Sequence, residues 1–451
     1  MWGSVFKKML KDKEYVLKTA RDLGVKFIRL WFTDILGALK NVAITIEELE
    51  EALAEGVGFD GSAVEGFTRA EESDMIAMPD PNTFAILPWR PKENAVARMF
   101  CDIVKPGGQP FDGDPRYILK KNLKEAAALG FTFYVGPELE HFYFKSAEDP
   151  APLDSGGYFD LTPLDLATDL RRETILAMEE LGVGIESSHH EVAPSQHEFD
   201  FRYADALTMA DNLMTYRLVV KEIALKHGVY ATFMPKPLAG QNGSGMHVNI
   251  SLFQGEKNLF FDRSDKRGLS DTGKRFLAGI LRHVREFTVV TNQWVNSYKR
   301  LIPGYEAPVY VTWAMTNRSD LVRIPQTKPG KESDFRLELR SPDPACNPYL
   351  AFSVILAAGL DGLKSKESLP LPPAAETNVA RLTEEERQKR GIQSLPRDLG
   401  EAITAAEGSK LLRKALGEHI FSSFLQNKRI EWERYRAAIT DFERKTYLPL
   451  L

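Results

Sequence analysis

The sequence predicts an α+β fold in two unequal parts. Strand-like and helix-like segments are interspersed without a regular strand–helix–strand rhythm, which disfavours a doubly wound parallel sheet. The segment KPGGQPFDGDP (105–115) is dense in Pro and Gly and reads as a boundary. It separates a first domain, residues 1–105, from a second, residues 106–451. A chain of 451 residues, at roughly 150 per domain, is long enough for both.

In chain order, KFIRLWFTDILGALKNVAIT (26–45) reads as two alternating strands around a turn near Asp34 to Gly37. IEELEEALAE (46–55) is a short acidic helix. A glycine-punctuated stretch, GVGFDGSAVEGF, leads into a loop-like segment reaching about Pro91, and ENAVARMFCDIV (93–104) returns to strand character. The second part opens with a helix over Arg116–Leu129 and a strand at FTFYVGPELEHFYF (131–144). An amphipathic helix over 165–182 stops at Gly182. IESSHHEVAPSQHEFDF (185–201) is strand, turn, strand, and a long helix runs from about Asp205 to His227. Strands are expected at 230–237, 246–253 and 336–340, with a helix over 272–294. Residues 366–396, polar with four prolines, read as a surface excursion, and the tail from about 397 is helical.

Composition narrows the function. With 58 Lys+Arg against 63 Asp+Glu the net charge is −5, and the pI is near 6.0. That argues against a nucleic-acid binder running on bulk positive charge. The best apolar run, Tyr349 to Leu360, is far short of the roughly 20 residues a spanning helix needs. The N-terminus has no long apolar stretch and reads as carrying no secretory signal. Cys101 and Cys346 are too few for a disulfide framework or a thiolate zinc site. A cytoplasmic protein is expected.

The chemistry is signalled by carboxylates on strands. Glu138 and Glu140 are two apart and so share a face. Two like charges on one face of an apolar strand are costly to bury, and a hard cation reverses the sign of that cost. The pattern recurs at Glu191 and Glu198, either side of the APSQH turn, and at Glu338. With His247 these glutamates make an oxygen-rich divalent site, favouring Mg²⁺ or Mn²⁺ over zinc. Any single pair could equally be the solvated face of a strand; the set together argues otherwise. Of His189 and His190, at most one can face the site, because strand neighbours point opposite ways. The remaining histidines read as surface or packing residues.

Arginines supply the opposing charge. Arg336, Glu338 and Arg340 alternate on RLELR, Arg318 and Arg323 bracket NRSDLVR, and Arg300 lies in NSYKRLIPGYEAP. Guanidinium forks grip carboxylate and phosphate oxygens bidentately. An arginine wall facing a glutamate–metal wall suits phosphoryl transfer from a nucleotide to a carboxylate. No GxxxxGK[ST] occurs and no GxGxxG follows a strand, so P-loop and dinucleotide readings fail.

Over nearly its whole length the chain resembles glutamine synthetases of the bacterial and archaeal class I type. The resemblance is carried by FDGS (59–62), EESDM (71–75), GPELE (136–140), HHEVAPSQHE (189–198), KPLAGQNGSGMHVNIS (236–251), NSYKRLIPGYEAP (296–308), NRS and RIP within 317–325, and RLELRSPDPACNPYLA (336–351). It implies a small β-grasp-like N-terminal domain and a larger catalytic domain with a curved, mainly antiparallel sheet backed by helices. It implies ATP-dependent joining of ammonia to the γ-carboxylate of glutamate through γ-glutamyl phosphate, giving glutamine, ADP and phosphate. By resemblance one metal falls to Glu140, Glu191 and Glu198, and another to Glu138, His247 and Glu338. Asn242, Gly243, Arg300 and Arg340 would hold glutamate. Arg318 and Arg323 would stabilise the transferring phosphoryl group, and Glu186, Tyr203, Ser251 and Arg336 would lie around ATP. Asp60 of a neighbouring subunit, with Tyr158 nearby, would bind and deprotonate ammonium, while Glu306 rides on a closing flap. Two stacked hexameric rings with shared active sites are implied, and burial of the apolar end YLPLL at a subunit contact is consistent with them.

The chain also departs from the family pattern. Ala63 stands where many relatives have a second serine, which bears on ammonium affinity. Ala380, in NVARL, stands where the adenylylated branch has its tyrosine, so no such modification is expected. The chain looks closer to the shorter branch controlled by glutamine feedback, with Arg69 in FTRAEES as the residue coupling product binding to inhibition. A nitrogen-regulatory protein partner is compatible with that branch. The competing readings are a ligase joining glutamate to a larger amine such as a polyamine, and a catalytically dead homologue. The intact ligand and arginine sets speak against the second.

Overall fold

The structure, a computed structural model, describes residues 11–67, 73–317, 319–365, 370–375 and 379–451. The N-terminal part begins with a helix, Lys13–Asp22, capped by the Asp12 carboxylate on the Tyr15 N–H. The strands Val25–Thr33 and Leu39–Thr45 pair antiparallel, as the alternation predicted. Their turn closes because Asp34 accepts from the Leu36 and Ala38 N–H groups while Gly37 adopts φ 85°. A mixed sheet follows in the order 39–45, 25–33, 95–104, 74–79, 57–60, parallel only between the second and third strands.

The expected loop up to Pro91 is in part sheet. Asp74–Pro79 pairs with both Val57–Asp60 and Ala95–Val104, and Ala85–Ile86 adds to the latter. Met75 and Ala77 point into the core while Asp74 and Ile76 do not, an alternation that prolines at 79 and 81 masked in the sequence.

Among the described residues the second sheet has ten strands. Thr132–Phe144 lies at its centre, flanked by Met246–Gln254 on one side and Gln196–Phe201 on the other. Leu337–Leu339, Val322–Arg323 and Trp313–Ala314 extend it one way, and Ile185–His190 the other. Along this path only the outermost pair, 313–314 with 322–323, is parallel. One face is apolar and fully buried: Phe133, Val135, Leu139, Val248, Ile250, Phe199, Leu337 and Leu339. It lies in one core with residues of the helices Ala206–Lys226, Asp271–Thr291 and Pro348–Lys364. Those helices start at side-chain caps from Asp205, Ser270 and Asn347. A Cβ at Gly279 would overlap the Ala358 carbonyl, so glycine lets the last two helices touch backbone to backbone.

The two parts are joined by polar contacts that are themselves buried. The first hairpin's tip meets the start of helix Pro348–Lys364: Asn347 Nδ2 donates to the Asp34 and Ile35 carbonyls, and Gln293 Nε2 to that of Leu36 at 2.6 Å. A Cβ at Gly37 would lie 3.0 Å from Asn347 Cα. Arg116, 3% exposed, pairs with Asp80 and Asp102 of the first part and with Asp211 of helix Ala206–Lys226 at 2.6–3.0 Å. Tyr349 donates to the same Asp211 at 2.7 Å.

One other expectation changes. The strand expected over 230–237 is only Tyr230–Thr232, because Pro235 and Pro237 cannot donate to a ladder. Within 366–396, of which 366–369 and 376–378 lie outside the described residues, the chain is tied back to the domain. Trp313 Nε1 donates to the Pro372 carbonyl, the Leu395 N–H to that of Val309, and Leu395 is buried. The terminal leucines Leu448, Leu450 and Leu451 are exposed in the single chain.

Truncating a buried charge that holds three carboxylates leaves them uncompensated. Arg116→Met is expected to destabilise the protein by about 3–5 kcal/mol, measured as a lowered midpoint of guanidinium unfolding.

Candidate active site

The face of the large sheet opposite its core is polar. Register explains why: His247 stands opposite Glu138, Glu140 opposite Glu198, Asn249 opposite Glu338, and Glu338 opposite Arg323. Residues of like parity within each of five neighbouring strands therefore meet on one surface. Glycine at 136 and 245 keeps the surface open. A Cβ at Gly245 would lie 2.6 Å from an Arg300 nitrogen and 3.2 Å from Glu140 Oε1.

Ligand atoms of Glu138, His247 and Glu338 lie within 4.8 Å of one another, as do those of His189, Glu191 and Glu198. His247 Nδ1 is 3.2 Å from Glu138 and 3.8 Å from Glu338, and its Nε2 is 3.9 Å from Glu140. Glu140 accepts from the Gly245 N–H at 3.0 Å and Gln196 Nε2 at 2.6 Å. Glu338, fully buried, takes Arg323 Nε at 2.6 Å on one oxygen and Arg340 on the other. Arg336 reaches Asn249 Oδ1 at 2.9 Å, and Asn249 in turn donates to Glu138. The oxygen-rich donor set, one imidazole among carboxylates, fits hard divalent cations.

Electrostatics say the same. Burial and then the charge of Glu191 push the Glu140 carboxyl up to about 8. Burial and the charges of Glu140, Glu138 and Glu191 push Glu198 well up too. Burial would raise Glu138 as well, but the His247 and Asn249 hydrogen bonds and Arg340 hold it down at about 2. Burial and Arg340 hold the His247 imidazole below its ordinary range, so it favours the neutral form that ligates.

The rim holds the remaining predicted residues. Buried Arg300 donates to the carbonyls of Ser341 and Arg340 at 2.7 and 3.1 Å. A Cβ at Gly243 would overlap the Pro235 carbonyl. Asn242 Nδ2 donates to Glu306 Oε2 at 3.2 Å, and Glu306 holds φ 56°. Ser251 Oγ donates to the Phe335 carbonyl, and Tyr203 stacks edge-on to Tyr134. Tyr158, exposed, lies edge-on to the His189 ring at 5.6 Å. Glu186 is exposed at the irregular step in the pairing of its strand. Asp60 is on the first sheet, accepting from the Ser62 N–H and Oγ. Arg69 and Arg318 lie outside the described residues.

Of the paired histidines, His189 turns to Glu191 at 2.9 Å, whereas His190 turns to Asp154 behind the sheet at 3.0 Å. Sequence reasoning missed Asn249, Asp200 and Gln196 as polar members of this region. Asn249 and Asp200 sit two residues beyond His247 and Glu198, so parity alone signals them. Gln196, two residues before Glu198 on the same strand, carries the same signal and donates to Glu140 across the strand pair.

A surface of this kind belongs to an enzyme that holds hard cations and anionic substrates together. The glutamine synthetase catalytic-domain family matches residues 112–447, and the glutamine synthetase beta-Grasp domain family matches residues 24–106. The chain belongs to the glutamine synthetase family. It is 54% identical to the glutamine synthetase of Methanosarcina mazei over 98% of this chain and 99% of that protein. It is 53% identical to that of Mycolicibacterium smegmatis over 98% and 100%. Among solved structures it superposes on "GmaS/ADP complex-Conformation 1" with TM-score 0.87 at 34% identity, covering 96% of this chain and 99% of that one. It superposes on the Plasmodium falciparum glutamine synthetase, also at 0.87, at 25% identity over 97% and 98%.

Below about pH 8 the buried Glu140 carboxyl holds a proton that a cation must displace. Mn²⁺ binding at pH 7 is therefore expected to release protons and to tighten as pH rises towards 8. Titration calorimetry in two buffers of different ionisation enthalpy reads this directly, and heats identical in both would contradict it.

Proposed function

We propose that this protein joins ammonia to the γ-carboxylate of L-glutamate at the expense of ATP, giving L-glutamine, ADP and phosphate. The observation that carries the reading is the convergence of Glu138, His247 and Glu338 within 4.8 Å, with Arg323 and Arg340 both on Glu338. Family membership and identities above 50% over nearly the whole chain support it. The catalytic part is residues 106–451 and the β-grasp part residues 1–105.

Two or more Mg²⁺ or Mn²⁺ ions, one held by Glu138, His247 and Glu338 and another by Glu140, Glu191 and Glu198, would offset the charge of the nucleotide phosphates and of the developing intermediate. Arg340, Arg300, Asn242 and Gly243 hold glutamate. Glu186, Tyr203, Ser251 and Arg336 surround ATP. The γ-carboxylate attacks the γ-phosphorus, the bond to ADP breaks, and Arg318 and Arg323 balance the charge on the transferring group. This step is needed because a carboxylate has no leaving group, whereas γ-glutamyl phosphate has a good one. Ammonium is no nucleophile until deprotonated, so Asp60 of a neighbouring copy, beside Tyr158, takes its proton. Ammonia then attacks the γ-carbon and phosphate leaves. Glu306, on its flap, keeps water away meanwhile.

The assembly we propose is a cytoplasmic dodecamer of two hexameric rings, with glutamine feedback acting through Arg69 and a nitrogen-regulatory protein as a further partner. No helix among the described residues is long and apolar enough to cross a membrane.

Purified protein with ATP, Mg²⁺, glutamate and ammonium is expected to yield glutamine. A faster amide product with a polyamine acceptor would overturn the choice of acceptor. Mixing Asp60→Ala with Arg340→Ala subunits is expected to restore part of the activity each lacks, because some interfaces then carry neither lesion. Arg69→Ala is expected to weaken glutamine inhibition, read as a raised inhibitory concentration in the same assay.

A further inference from the structure

Lys236 lies outside the ligand and arginine sets, yet it touches three segments that the reaction must coordinate. Its backbone is clamped to one side chain: the Lys236 N–H donates to Asn296 Oδ1 at 2.7 Å, and Asn296 Nδ2 returns to the Lys236 carbonyl at 3.0 Å. Asn296 begins the short helical turn that ends in Arg300. The side chain, largely buried, runs the other way. Its ammonium donates to the carbonyl of Gln241, one residue before Asn242, and sits over the Tyr305 ring at 3.7 Å from the centroid.

Tyr305 is the neighbour of Glu306. Across 302–306 it alone is half-buried, and the other four residues are exposed. Gly304 and Glu306, on either side, both hold positive φ, at 96° and 56°. The flap is thus an exposed loop whose one inward side chain rests on a cation. Burial and the nearby charge of Arg300 both weigh against the charged ammonium, so the aromatic face and the carbonyl oxygen are its compensation.

We propose that Lys236 is a positioning residue for the ligase reaction: through its contact with Tyr305 it latches the Glu306 flap to the glutamate-binding loop, so that water is kept from the acyl phosphate. The inference rests on the ligase reading above. When the latch fails, water attacks the γ-carbon of γ-glutamyl phosphate, the bond from that carbon to the phosphate oxygen breaks, and glutamate and phosphate return without glutamine. ATP is then consumed unproductively. Lys236 touches neither reacting group, so ATP binding is unaffected.

The test measures glutamine formed per phosphate released, at limiting ammonium, for the full-length protein and the variants Lys236→Met, Lys236→Arg, Tyr305→Leu and the double Lys236→Met/Tyr305→Leu. Lys236→Met and Tyr305→Leu are each expected to lower that ratio about fivefold with the KM for ATP unchanged. The double variant should be no worse than either single one, because one contact is being removed twice. Lys236→Arg, which keeps a cation over the ring, should restore the ratio. A wild-type ratio in Lys236→Met, or additive losses in the double variant, overturns the latch. If Lys236→Met does not fold, Tyr305→Leu decides alone: an unchanged ratio there overturns the latch as well. A wild-type protein that makes no glutamine overturns the ligase reading instead.

Discussion

The structure depends on a concentration of like charge. Glu138, Glu140, Glu198 and Glu338 stand on one face of one sheet, largely removed from water. Such a set is unfavourable by itself, and the chain offsets it only in part, with Arg323 and Arg340 on Glu338 and with amide donors on Glu138 and Glu140. The Glu140–Glu198 pair retains the unbalanced remainder, seen as carboxyls that hold their protons far above the ordinary range. A fold that keeps this arrangement needs rigid backing. The opposite face supplies it, with fully buried Leu139, Val248 and Phe199 shared with the long helices in one core. Side chains two residues apart on one well-packed strand cannot drift away from each other, so repulsion is held rather than relaxed.

Much of this was legible in the sequence because strand parity is a strict rule. Glu138 and Glu140 had to share a face, and His189 and His190 had to part; the first lies at Glu191 and the second at Asp154. The acidic helix, the first hairpin and the long helices 206–226 and 271–291 follow from periodicity and caps. Two kinds of feature were not legible. The strand Asp74–Pro79 is short and proline-flanked, and it is defined by pairing with two strands well removed along the chain, which no local pattern reports. Contacts made by long flexible side chains, such as Lys236 over Tyr305, depend on tertiary approach and leave no periodic trace.

The joint between the two parts is of another character. It is polar and buried, with Arg116 tying Asp80 and Asp102 to Asp211, and amide side chains from Gln293 and Asn347 gripping a hairpin tip by its carbonyls. Apolar surfaces tolerate sliding, whereas directional bonds of this density fix one orientation. Trp31 and Phe100 from the first sheet enter the main core beside this joint, which adds area to direction.

That hairpin grip has a mechanical corollary. Asn347 opens the helix that follows directly on the Arg336–Arg340 stretch, and the same residue clasps the sheet whose far edge bears Asp60. In a closed ring each molecule would then be owner of one reaction chamber and wall of the next. With a Cβ at Gly37 excluded by Asn347 and two carbonyls of the tip held by the same side chain, sheet and helix turn as one piece.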